Sequence, residues 1–221
     1  MRLTHLPVRV WDAPIRLFHW GIVLLLATSW VTQHYDWMQL HFLSGYTMLA
    51  ALLFRFVWGL IGSDTARFAR FLRHPMAALR HLAALARRHP DTEIGHNAAG
   101  GWMVLAMLLL LAVQVGTGLC SNDEISVEGP LAHVVGDHWS NWLSHIHAVN
   151  FRLIEAAIVL HLLAIAVYRL LGHDLVRPMI TGHKRLPATL PAPRLASPRL
   201  ALLVFAIAGA AVAVFVRALG G

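Results

Sequence analysis

Residues 145–171 read HIHAVNFRLIEAAIVLHLLAIAVYRLL, a largely apolar run long enough to cross a bilayer that carries His145, His147 and His161. His147 and His161 are fourteen residues apart. At 3.6 residues per turn they return to nearly the same face, about 21 Å apart along the axis. His145 lies sixteen residues from His161, a spacing that rotates the two apart by about 160°. A histidine within lipid must find partners for its ring nitrogens where no water exists. Two on one face therefore predict two sites facing a protein interior. Each needs a partner from another helix, and His19 and His41 lie in or beside other apolar runs.

Composition sets the class. Of 221 residues, 57% are hydrophobic and 13% charged, against roughly 25% charged in a typical soluble domain. An all-α integral membrane protein follows. The net charge of +7 is no nucleic-acid signal, because the basic residues sit in the short segments between apolar runs. Cys120 is the sole cysteine, which excludes a disulfide framework, an iron–sulfur cluster and covalent c-type haem attachment. Any haem must be held by side-chain ligation and packing.

Five apolar segments run from about 15 to 31, 42 to 60, 101 to 119, 148 to 171 and 200 to 216. With no water to satisfy the backbone, each is predicted helical. The expected organisation is a four-helix membrane domain over 1–185, a proline-rich cytoplasmic linker over 186–199 and an additional C-terminal transmembrane helix over 200–221. Residues 64–90 carry too many arginines to span. Their spacing predicts an amphipathic helix on the cytoplasmic face, with Phe68, Phe71, Leu72 and Leu79 dipping into the interface. A signal peptide is the alternative for the first segment, but Ser29-Trp30-Val31 lacks a small-x-small cleavage site.

Lys and Arg set the orientation. The N-terminal segment carries Arg2, Arg9 and Arg16. Arg67, Arg70, Arg73, Arg80, Arg87 and Arg88 fill the second connection, and Arg177, Lys184, Arg185, Arg194 and Arg199 the fourth. The stretches 32–40 and 120–145 contain no Lys or Arg, and the latter carries Asp123, Glu124, Glu128 and Asp137. The N-terminus is expected in the cytoplasm and the C-terminus outside, across a bacterial inner membrane.

The fifteen histidines divide on this topology. His5, His74, His81, His89, His96, His173 and His183 fall in cytoplasmic segments or at their edges. His34, His133 and His138 fall in external loops, and for all ten a solvated surface role is the default. Depth then pairs His19 with His161 toward the cytoplasm and His41 with His147 toward the outside. Two imidazoles from facing helices are what a b-type haem iron takes. Gly45 lies one turn after His41, and the third span carries Gly100, Gly101, Gly116 and Gly118. These small residues suit either a macrocycle or close helix packing. Arg16, Arg55 and Arg152 suit haem propionates or simple snorkelling to the interface. Trp20, beside His19, is expected near a haem.

The segment Trp11-Asp12-Ala13-Pro14-Ile15-Arg16-Leu17-Phe18-His19-Trp20 resembles the "P-x-R-x-x-H-W" opening of the bacterial di-haem cytochromes b. These comprise the cytochrome b-561 proteins and the cytochrome b subunits of nickel–iron hydrogenases and formate dehydrogenases. His41-Phe42-Leu43-Ser44-Gly45-Tyr46 resembles that family's "H-x-x-x-G", and Arg55-Phe56-Val57-Trp58-Gly59 with Gly62 extends the likeness. The fourteen-residue spacing in the fourth span is shared too, so the resemblance covers about residues 8–180. It implies a four-helix bundle with two non-covalent b haems, the cytoplasm-side one on His19 and His161 and the outer one on His41 and His147. It also implies electron exchange with membrane quinone and a periplasmic partner, whether a c-type cytochrome, a hydrogenase or a dehydrogenase. The fifth span lies outside the family's core pattern.

Reduction of a quinone needs protons as well as electrons. Glu93, His96 and Asn97, where the third span begins, are candidates to carry them, and ordinary helix capping is the simpler reading of that segment. The acidic external loop suits a basic partner, although positive-inside bias alone also leaves it without Lys or Arg. Two rivals stand beside the haem reading. A transporter or channel could use the histidines as a relay, and a membrane anchor for a periplasmic enzyme would need no site at all. Whether the chain only carries electrons or has quinone oxidoreductase activity of its own is left open by the residues.

Overall fold

The computed structural model describes residues 5–85 and 93–219. Arg2, Arg87, Arg88 and His89 lie outside the described residues, as does the His5 side chain. The elements in chain order are β1 (His5–Arg9), α1 (Ala13–His34), α2 (Met38–Ile61), α3 (Phe68–Phe71), α4 (Pro75–Leu85) and α5 (Ala98–Gly118). They continue with α6 (Ala132–Val135), α7 (Asp137–Leu170), α8 (Val176–Thr181), β2 (His183–Pro187) and α9 (Pro198–Ala218). Helices α1, α2, α5, α7 and α9 are each long and apolar enough to cross a membrane. Helix α7 has 34 residues, about 51 Å at 1.5 Å per residue. It starts eleven residues before the expected span, because its first three turns are polar (Asp137, His138, Ser140, Asn141, Ser144) and carry no hydropathy signal.

The chain forms two compact units. The first comprises residues 1–17, 56–106 and 159–202, the second residues 18–55, 107–158 and 203–221. Among the described Lys and Arg residues, only Arg55, Arg152 and Arg217 fall in the second.

In the first unit, β1 pairs antiparallel with β2, from His5 opposite Pro187 to Arg9 opposite His183. Two short strands in a helical protein leave little trace in a pattern dominated by spans. The sheet feeds a buried corner in which Val10, Trp58 and Leu186 are fully enclosed. Asp12 organises it. One carboxylate oxygen caps α1 by accepting the Ile15 N–H at 2.8 Å, and the other accepts the Trp58 indole N–H at 3.0 Å. The Val10 and Trp11 amides both donate to the Gly182 carbonyl. Gly182 ends α8 at φ 83°, and a Cβ there would lie 2.9 Å from the Trp11 carbonyl oxygen, so glycine is required twice over.

The segment expected as one amphipathic helix is broken at Leu72–His74, and Pro75 opens α4. Phe68 packs against Phe56 and over Gly59, and Phe71 is buried against His96 and Gly101. These two rings seat on the protein rather than at a lipid interface, because glycines on α2 and α5 open places for them. Leu79 is exposed. The proline-rich stretch is docked as well: Asp64 N–H donates to the Arg194 carbonyl and Arg194 N–H donates to the Asp64 carboxylate, each at 3.0 Å, and Ala196 N–H donates to Ser63 Oγ at 2.9 Å.

In the second unit, α1 turns into α2 through Asp36 (φ 56°), with Trp37 N–H returning to the Thr32 carbonyl. Helix α9 buries Val204, Ala208 and Val212 on one face, and its Phe205 meets Phe54 of α2 edge to face. Between α5 and α6 the chain forms a small hairpin closed by the Asn122–Glu128 bridge. One Asp123 oxygen accepts the Ile125, Ser126 and Val127 amides at 2.8 to 3.0 Å. Those amides hold the Asp123 carboxyl below its usual range, Val127 contributing most. A carboxyl depressed by folding contributes stability that is present above its ordinary value near 4 and lost as pH falls through the depressed one. Amide exchange at 125–127 is therefore expected to lose protection only below about pH 4, measured against intrinsic exchange at each pH.

Candidate functional site

His41 and His147, the two histidines that sequence paired on the outer side, both belong to the second unit. His41 presents Nδ1 to the Ser29 carbonyl at 2.9 Å. Ser44, one turn on, returns its hydroxyl to the His41 carbonyl and meets the Ser29 hydroxyl at 2.7 Å. His41 is thus tied to α1 and α2 at once.

His147 sits in a polar cluster between α5 and α7. Its Nδ1 faces the Gln114 carbonyl at 2.9 Å and Thr117 Oγ1 at 3.2 Å. Its Nε2 faces the Gln114 side-chain amide nitrogen at 3.0 Å. Gln114 in turn accepts from Asn150 Nδ2 at 2.8 Å, and Asn150 also donates to the Leu110 carbonyl. Gln114, Thr117 and Asn150 are all buried. His145 is exposed, so the rotation argument that separated it from His147 is matched by burial.

Glycine explains how the ring is admitted. A Cβ on Gly118 would stand 2.9 Å from His147 Cε1 and 3.2 Å from Nδ1. Gly101 likewise yields to the Phe71 main chain, which is packing. A Cβ on Gly45 would meet no protein atom within 4 Å.

His19 is half-buried in the second unit, edge-on to Trp20 with ring centroids 5.0 Å apart. Trp20 is 42% exposed. His161 is half-buried and belongs to the first unit. Arg16 donates to the Ile180 carbonyl of α8, and its Nε is buried without a hydrogen-bond partner. Arg55 is buried on α2, whereas Arg152 is exposed. Among the described residues no group of three or more His, Cys, Asp and Glu side chains could hold a metal ion.

Glu93 and His96 line a cavity of about 350 Å³ in the first unit, with Asp64, Arg70, Phe71 and Arg73. Glu93 forms a two-pronged ion pair with Arg73 at 2.9 and 3.1 Å. Asn97 caps α5 through Gly100 N–H at 2.7 Å and donates to the Tyr168 hydroxyl, which also meets His81 at 2.7 Å. Capping accounts for Asn97, and the His81–Tyr168 contact gives a supposed surface histidine a buried partner. Sequence reasoning missed Gln114, Thr117 and Asn150. Their signal was polar side chains inside spans, i and i+3 on α5 and again three residues after His147 on α7.

The donor set fits b haem. Two histidines keep Nδ1 on carbonyls, as iron-binding imidazoles do when Nε2 is the ligand, and the space beside Gly45 is open. Comparison with known proteins agrees. A model of the prokaryotic cytochrome b561 family matches residues 10–182. The probable Ni/Fe-hydrogenase 1 B-type cytochrome subunit of Escherichia coli (strain K12) is 23% identical over 219 residues, covering 79% of this chain and 89% of the relative. The protein of the same name from Escherichia coli O157:H7 gives the same values. No solved structure matches. With five membrane-length helices and a family match over most of its length, the chain belongs to the prokaryotic cytochrome b561 family and is a multi-pass membrane b-type cytochrome of electron transfer.

Proposed function

We propose that this cytochrome passes electrons across the bacterial inner membrane between a periplasmic redox partner and the quinone pool, using two bis-histidine haems. The observation that carries the reading is the shared arrangement of His41 and His147: each imidazole sets Nδ1 against a main-chain carbonyl, which makes Nε2 the nitrogen an iron would take. His19 and His161 take the cytoplasm-side haem, a pairing that rests on their matched depth in the sequence. When bound, haem supplies a one-electron couple and a wide conjugated edge within an otherwise insulating apolar core.

The remaining work belongs to protein groups. Ser29 and Gln114 carbonyls orient the outer imidazoles and raise their basicity. Gly45 leaves room for a flat ligand. Arg16, with a buried donor to spare, and Arg55 supply positive charge for propionates. Positive-inside bias puts the arginine-rich first unit toward the cytoplasm. The relatives' printed name, a hydrogenase subunit, supports a redox enzyme as the outer partner, with the acidic residues of 120–145 as its contact.

The test is an optical spectrum with haem stoichiometry on purified full-length protein. Two haems per chain with a reducible α-band are expected. A colourless protein would instead support a histidine relay or an anchor, and one haem per chain would overturn the pairing. Gly118→Ala drives a methyl into the His147 ring, so affinity for one of the two haems is expected to fall about tenfold, the lower end for disturbed ligand support. Haem titration of the apo-protein measures it.

A further inference from the structure

The polar cluster around His147 has a readable direction. The Leu110 carbonyl can only accept, so the Asn150 atom 2.9 Å from it must be the amide nitrogen. That nitrogen's second hydrogen goes to Gln114 at 2.8 Å, which makes the facing Gln114 atom the amide oxygen. The Gln114 amide nitrogen therefore points at His147 Nε2, 3.0 Å away, and donates to it. An Nε2 that accepts is deprotonated, so the ring proton is on Nδ1, where the Gln114 carbonyl takes it at 2.9 Å. Each assignment forces the next, and the chain of donors ends on the lone pair that an iron would use.

We propose that Gln114 is a displaceable cap on the ligand nitrogen of His147. Its side-chain amide holds Nε2, as in this structure, and yields that nitrogen to iron, with Asn150 keeping the cap in register. This rests on the bis-histidine reading above. The physical reason is the dry surroundings: Gln114 is 8% and Asn150 5% exposed. A buried nitrogen lone pair without a donor is costly, and the cap satisfies it until the cofactor arrives. The backbone carbonyl of the same residue stays on Nδ1, so one residue both fixes the tautomer and guards the ligand atom. Gln114 acts through His147 and is a positioning residue.

The experiment uses full-length apo-protein carrying His161→Ala, which leaves only the outer site, and ferric haem as the probe. Gln114→Leu keeps the main-chain acceptor and removes the cap. Haem uptake is expected to accelerate about two- to tenfold, the range of one net hydrogen bond, with release to a haem scavenger unchanged. Asn150→Leu frees the cap without deleting it and should accelerate uptake in the same direction, while the double variant is no faster than Gln114→Leu alone. Uptake that is unchanged or slower in Gln114→Leu overturns the cap. Uptake and release that rise together also overturn it, because they report a loosened pocket. A chain that takes up no haem with Gln114 either present or replaced overturns the bis-histidine reading itself.

Discussion

His147→Ala is expected to leave one haem per chain of the two proposed for the unsubstituted protein, while His145→Ala is expected to keep both. The two histidines are separated by a single residue, so general damage to α7 would affect both variants alike. Their environments differ. His147 is held by Gln114 on both ring nitrogens and fits against Gly118, whereas His145 is exposed. Loss of His147 would remove the nitrogen proposed to hold iron, leaving a cavity lined by Gln114, Thr117 and Asn150, whose side chains offer iron no comparable donor. Pyridine haemochrome assay against protein concentration reads the stoichiometry. A redox titration then shows one α-band component missing and the other unshifted. Equal losses in both variants would sink the assignment.

Asp12→Ala is expected to destabilise the first unit by about 2–4 kcal/mol. Loss of an N-cap costs roughly 1 kcal/mol, and removing the acceptor of a buried N–H costs about 1–3 kcal/mol. Asp12 does both, for Ile15 N–H and for the indole of fully enclosed Trp58. Asp12→Asn keeps an oxygen for the cap but turns an amide toward another donor, so about half of the loss should remain. Thermal unfolding in detergent measures the difference, with proteolysis of residues before α1 reporting release of β1. An unfolding temperature unchanged in Asp12→Ala would show that the corner does not depend on this carboxylate. The Trp-Asp-Ala-Pro stretch that carries the family resemblance thus serves to fasten the N-terminal segment, with Asp12 as its pin.

How far the sequence reached follows from what kinds of force leave a one-dimensional record. Lipid demands a continuous apolar run, so the five spans stood out within a few residues, and the polar first turns of α7 were missed because they meet no such demand. Helical periodicity orders residues on one helix, so it separated His147 from His145. Periodicity says nothing about the neighbour across the gap. Hence Gln114 and Asn150 passed as isolated polar residues, although each stands one turn from a residue already singled out. The sheet of β1 and β2 joins segments nearly the whole chain apart, and the docking of 191–196 on Ser63 and Asp64 does the same over about 130 residues.

By itself, then, the sequence determined that this is a helical membrane protein with five spans and histidines in or beside them, because hydropathy, charge bias and helical spacing are local properties of a chain in a bilayer. Only the tertiary structure decided which way the His41 and His147 rings face, what fixes their tautomers and which glycines admit them. Those outcomes depend on hydrogen bonds and contacts between helices, and a buried donor finds its acceptor by position in space rather than by distance along the chain.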